Sequence, residues 1–153
     1  MVVEIHEDQP LVEPGAAWIR ELWLPAIHRM DGYGGAQYPA SIGSTESVSM
    51  IRKLPTDFTS VTTATLVIYG WATQNYNLTI TGRAGDCGEN FALHTQNDTR
   101  NHALTANTFS CIDLVPILAA WFAALNAGDH IYINVLNNTV GIVTVYGLDL
   151  RYT

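Results

Sequence analysis

Thr62-Thr63-Ala64-Thr65-Leu66-Val67-Ile68-Tyr69-Gly70-Trp71-Ala72, followed after Gln74-Asn75 by Tyr76-Asn77-Leu78-Thr79-Ile80-Thr81-Gly82-Arg83, is the longest β-type stretch in the chain. In the first run Leu66 and Ile68 alternate with Val67, Tyr69 and Trp71, so both faces carry apolar groups, as in a central strand. In the second, Tyr76, Leu78, Ile80 and Gly82 alternate with polar residues, the period-two pattern of a half-buried strand. With Gln74-Asn75 as the turn, the two runs are expected to pair as a hairpin.

The same period continues on either side. Upstream, Val48 and Met50 alternate with Ser49 and Ile51 before Leu54-Pro55-Thr56-Asp57-Phe58 breaks the strand; for Trp18 to Leu24 helix and strand readings compete, and Pro25 and the tryptophans favour a strand. Met30 to Thr45 is turn chemistry, interleaved with Tyr33 and Tyr38. Downstream, Ala84 to Ser110 reads as a long Gly/Asn/Asp/Thr-rich excursion with one short strand. Asp113, Pro116 and the spacing of Ile117, Leu118, Trp121, Phe122 and Leu125 predict one short helix near residues 114–126, stopped by Gly128, and Ala119, Ala120, Ala123 and Ala124 on its other side make that side a second candidate for cover. The chain then returns to strands from Asp129 to Leu136 and from Val140 to Tyr152, where the apolar parity shifts at Gly147, the mark of a β-bulge. Seven or eight antiparallel strands and one helix make an all-β chain: a β-sandwich, with the jelly roll as its expected form.

Size and composition agree with a single domain over residues 18–153, preceded by an extended arm over residues 1–17 that carries an acidic stretch and Pro10 and Pro14. Hydrophobic residues are 48% of the 153 and charged residues only 14%, roughly half the usual charged share, which excludes intrinsic disorder and coiled coils. No run approaches the roughly 18 apolar residues of a membrane span, so no membrane partner is expected. Net charge is −7 and Lys53 is the single lysine, which removes the basic patch that nucleic acid requires. Met1 to Asp8 has neither the positive flank nor the apolar core of a secretory signal.

Motifs for catalysis are lacking: there is no Gly-x-Ser-x-Gly, no phosphate-binding glycine loop, no His-Glu-x-x-His and no His-x-His of a cupin. No catalytic residue, metal site or cofactor is therefore expected. His94, Asp98 and His102 are four apart and would share one face of a helix, but the residues between them are poor helix formers. Cys87 beside His94 has nothing to fix it as a nucleophile. Asp57, Asp86, Glu89, Asp113 and Asp129 fall at turns, where capping duties are weighed against a calcium ion. Cys87 and Cys111 would close a loop of about 25 residues as a disulfide, the alternative being two small buried hydrophobes. Tyr69 and Trp71 share a strand face, with Tyr132 as a candidate neighbour; exposed rings of this kind stack on sugars, and the competing reading is a core made of large aromatics that includes Trp71 and Trp121. Asn77, Asn97 and Asn137 each begin an Asn-x-Thr triplet.

Leu54 to Phe58, Ala64 to Trp71, the Ala84-Gly85-Asp86 and Gly88-Glu89 turn, the short helix, Ala127 to Ile133 and Val145 to Leu148 together resemble the small jelly-roll structural proteins of tailed-phage virions. The resemblance covers about two thirds of the chain. It implies a non-enzymatic capsid decoration (cement) protein, or a fibre or tail module, located on the capsid exterior. Its partners would be itself, as a homotrimer, and the major capsid protein. On this reading the interface is formed by the arm through Val2, Val3, Ile5, Pro10 and Pro14, by the Tyr33 to Tyr38 loop, and by Tyr69 and Trp71. The alternative is a carbohydrate-binding module or receptor-binding domain whose surface Trp and Tyr take a glycan.

Overall fold

A computed structural model of the chain describes residues 18–29, 36–90 and 94–153. In chain order the elements are β1 (Arg20–Pro25), β2 (His28–Arg29), β3 (Ala36–Gln37), β4 (Ala40–Ile42), β5 (Ser47–Lys53), β6 (Val61–Gly70), β7 (Gln74–Gly85), β8 (His94–Leu104), β9 (Ser110–Asp113), α1 (Ala119–Ala123), β10 (His130–Asn137) and β11 (Val143–Tyr152). The first sheet runs β1-β11-β6-β9, with β4 pairing the start of β11 beyond the end of β1; the second runs β5-β10-β7-β8. All the pairings are antiparallel, and β2 and β3 form a separate short ribbon.

The partners are nested: β4 with β11, β5 with β10, β6 with β9, β7 with β8. From β4 to β11 the chain changes sheet at every connection but the one between β7 and β8. A long two-stranded ribbon folded over itself has this connectivity, and it is the jelly roll. The core lies between the sheets, where alternate residues of facing strands meet: Leu66 and Ile68 from β6, Leu78 and Ile80 from β7, Ile131 and Ile133 from β10, Leu148 and Leu150 from β11, all buried.

Three expectations need correction. The β6 and β7 runs do not form a hairpin; residues 71–73 carry the chain from one sheet to the other. Tyr76 holds this arch together, its ring against Gly70 and its hydroxyl accepting from Ala72 N at 3.1 Å and donating to Ala72 O at 3.3 Å. Second, the polar stretch after Ala84 contains an eleven-residue strand, β8. In register with β7, its core-side positions are His94, Gln96, Asp98, Arg100 and His102, followed by buried Leu104; the first five are polar because β8 is the sheet's edge and faces α1 and solvent rather than a full opposing strand. Third, α1 is only five residues long. Ile117, Leu118, Trp121, Phe122 and Leu125 are buried as their spacing predicts, whereas Ala119, Ala120 and Ala123 face solvent. Gln96 takes the place of a capping residue: its side chain accepts from Trp121 N at 2.8 Å and donates to Ile117 O at 3.4 Å.

The bulge stands where the parity shift puts it. Pairing with β6 jumps between Val145 and Gly147, leaving Tyr146 as the extra residue.

Candidate binding face

Alternation along β6 sends Ala64, Leu66, Ile68 and Gly70 inward and leaves Val67, Tyr69 and Trp71 on the outside of the first sheet. Thr144 of β11 lies opposite Tyr69, Ser41 of β4 lies opposite Thr144, and the bulge turns the Tyr146 ring outward beside them. The loop before β9 adds Phe109. That loop is pinned to the end of β6, because Asn107 N donates to Gly70 O at 3.0 Å and Ala106 N to Thr73 Oγ1 at 2.9 Å.

The result is a group of rings that brace one another, edge to face except for the tilted Tyr69–Tyr146 pair. Phe109 and Tyr146 have centroids 4.9 Å apart, Tyr69 and Phe109 5.8 Å, Tyr69 and Tyr146 5.9 Å, and Tyr38 and Tyr146 6.4 Å. Trp71 stands next to them and is anchored differently: its Nε1–H donates to Thr144 Oγ1 at 2.9 Å, and Thr144 in turn shares a hydrogen bond with Ser41 at 3.0 Å. An indole held by its one polar atom has a fixed orientation, yet Trp71 remains 53% exposed, Tyr38 52% and Phe109 59%. Tyr38, Ser41, Tyr69, Trp71, Phe109, Thr144 and Tyr146 include no charged side chain. The face therefore offers ring surfaces for C–H groups and phenol hydroxyls for hydrogen bonds, with the buried Thr144 hydroxyl used to fix Trp71.

Of the contact residues expected from the sequence, Tyr38, Tyr69 and Trp71 come together on this one face. Val2, Val3, Ile5, Pro10, Pro14 and Tyr33 lie outside the described residues. Tyr132 belongs to the other sheet, opposite Ile51 and Arg83, where its hydroxyl accepts from Ser49 at 2.7 Å. Phe109 and Tyr146 were missed by sequence reasoning; the parity shift at Gly147 was the available signal, since it implies an extra residue whose side chain leaves the core.

The remaining candidates separate cleanly. Cys87 and Cys111 form no disulfide and neither is buried: both are free and exposed, Cys111 on β9 opposite Val67 and Cys87 in the turn after β7. Asp57 pairs with Arg20, Asp113 accepts from Val115 N at 3.0 Å, and buried Asp129 accepts from Asn126 N at 2.8 Å, so these carboxylates serve turns and strand ends. Asn137 is fully buried, donating to Gly141 O at 2.9 Å and accepting from Thr139 N at 2.9 Å. His94, Asp98 and His102 do share one face, of a strand rather than a helix; at about 13 Å per four residues they cannot meet at one ion.

His102 is half-buried opposite Tyr76, and its Nε2 finds no hydrogen-bond partner among the described residues. Burial, with the nearby Arg100 charge, holds its imidazole below the ordinary 6.5, against a smaller opposing pull from Asp98. Asp98 is itself held low by its hydrogen bond to Arg100. A depressed imidazole binds fewer protons folded than unfolded, so its stabilising contribution is complete above about pH 6.5 and is lost as pH falls through the folded value. The urea midpoint should therefore drop from about pH 7.5 to about pH 5.5 by less in His102→Gln than in the parent. Equal drops would remove His102 from the pH response.

Among the described residues no helix is long and apolar enough to cross a membrane. No family model and no curated protein matches the chain. Among solved structures it is similar to the carbohydrate-binding module TmCBM61, determined in complex with β-1,4-galactotriose, at a TM-score of 0.38 and 10% identity over 88% of each chain.

Proposed function

We propose that this jelly roll is a non-catalytic binding module that takes a neutral saccharide on the ring face of its first sheet. The supporting observation is Trp71, an exposed indole fixed by Thr144 and set beside three tyrosines with no charged group among them. A sugar has one face of C–H groups and a rim of hydroxyls; the rings match the first and the phenol hydroxyls match the second, while buried Thr144 serves to hold Trp71. Pre-set rings lose little conformational entropy when a ligand docks.

The test is a titration of tryptophan fluorescence with soluble neutral polysaccharides: galactan, xylan, mannan and mixed-linkage glucan. At least one should bind, and Trp71→Ala should weaken it by about thirtyfold, about 2 kcal/mol, the cost of truncating a central aromatic anchor. Because Trp71 lies outside the core, the variant's unfolding should stay within about 0.5 kcal/mol of the parent. A flat response to every polysaccharide, or a Trp71→Ala variant that binds as the parent does, would overturn the proposal.

A second reading makes the same face a subunit interface in a homotrimeric virion structural protein. The extent of apolar surface favours it, since Trp18, Ile19 and Trp23 are exposed on or just before β1 in addition to the rings. It requires a solution mass three times 16.8 kDa by light scattering. A monomer at micromolar concentration would exclude a standing trimer and leave the ring face open to ligand.

A further inference from the structure

A second cluster lies on the other sheet, at the end of β7. His130 opens β10 directly opposite Gly85, so the turn that follows Gly85 begins over the histidine. Asp86, Cys87 and His130 each bring a ligand atom to this point, all within 4.8 Å of one another, and all three residues are exposed. We propose that these three side chains form a site for one zinc-class divalent cation.

The donor set selects the ion. One thiolate, one imidazole and one carboxylate match zinc and cobalt, whereas calcium and magnesium take shells made wholly of oxygen. Tetrahedral zinc holds its donors about 3.5 Å apart, so closing the cluster asks for shifts of about 1 Å. Rotation of exposed side chains supplies these without moving the backbone. The fourth position faces solvent and takes a water.

The backbone on both sides is already fixed. Glu89 N donates to Asp86 O at 3.1 Å and Asp86 N to Glu89 Oε2 at 3.0 Å, closing the turn. Cys87 N donates to Asp86 Oδ1 at 2.7 Å, which orients that carboxylate and leaves Oδ2 for a metal. On the β10 side, Asp129 O accepts from Leu54 N at 2.8 Å while its side chain holds Asn126 N, so the position of His130 is set by its buried neighbour. Ligands carried on such supports are held near a binding geometry before any ion arrives.

Cobalt(II) is the probe, added to the reduced full-length chain. One equivalent should give visible bands of tetrahedral intensity and a near-ultraviolet sulfur-to-cobalt charge-transfer band, both bleached by one equivalent of zinc. Cys87→Ser should lose the charge-transfer band and His130→Ala the tetrahedral bands, while Cys111→Ser keeps both. Zinc should also shield one of the two thiols from a thiol reagent. All three positions are exposed, and circular dichroism checks that each variant is folded. A cobalt spectrum without a thiolate band, or a thiolate band that survives Cys87→Ser, would overturn the proposal.

Discussion

Trp121→Ala lowers the stability of the fold by about 3 to 5 kcal/mol, the range for emptying a large buried aromatic site. Trp121 is 2% exposed, and it stands where the short helix closes the end of the sandwich beside the edge strand β8. Its ring lies so close to Gly82 that a Cβ at that glycine would come within 2.5 Å of the indole. Phe122 packs against it with centroids 4.9 Å apart. Removing the ring leaves a cavity walled by strand backbone, which cannot collapse to fill it. The thermal midpoint should fall by about 10 °C. Trp121→Phe is the informative companion. Since Trp121 Nε1 has no hydrogen-bond partner among the described residues, that substitution gives up volume and no polar contact, and should cost about 1.5 kcal/mol or less. Similar losses for the two variants would show that the indole nitrogen matters after all and that the packing account is wrong.

Gly147→Ala should cost about 3 kcal/mol, for two reasons acting at one atom. The residue has φ +156°, and a Cβ would sit 2.3 Å from the Leu24 carbonyl oxygen and 2.7 Å from Trp23 Cζ2. Because Gly147 pairs with Pro25 at the end of β1, relief can come only by moving β1 away from β11. Gly128→Ala separates the two contributions: φ there is +86° but nothing lies within 4 Å of a Cβ, so left-handed strain alone should cost about 1 kcal/mol. Equal urea midpoints for the two variants would refute the close-approach argument. The bulge also sets Tyr146 among the rings, so Gly147→Ala should weaken the proposed saccharide binding more than Gly128→Ala does.

Which side of each strand faces the core was legible from alternation, because burial enforces it residue by residue. Val48 and Met50, Leu78 and Ile80, and the shift from Val145 to Leu148 all lie as the pattern predicts. Which sheet a strand joins was not legible. Period two is the same for a hairpin and for an arch between sheets, so β6 and β7 read as partners although they belong to different sheets. β8 was illegible for a related reason: an edge strand with polar side chains on its core side gives no apolar alternation to detect. At the ring face, Tyr69 and Trp71 were visible as local neighbours, while Phe109 and Tyr146 arrive through a loop and a bulge from other parts of the chain. The cluster at Cys87 shows the same limit. Sequence proximity suggests His94 as its companion, whereas strand register supplies His130.

The pairing of β1 with β11 sets Arg20 opposite Tyr152, so the start of β1 and the end of β11 lie together at one end of the first sheet. Thr144 and the rings lie toward the other end of β11, about 26 Å away along the strand. The sheet is therefore two-poled: the outermost described strand ends meet at one pole, and the aromatic face is displayed at the other.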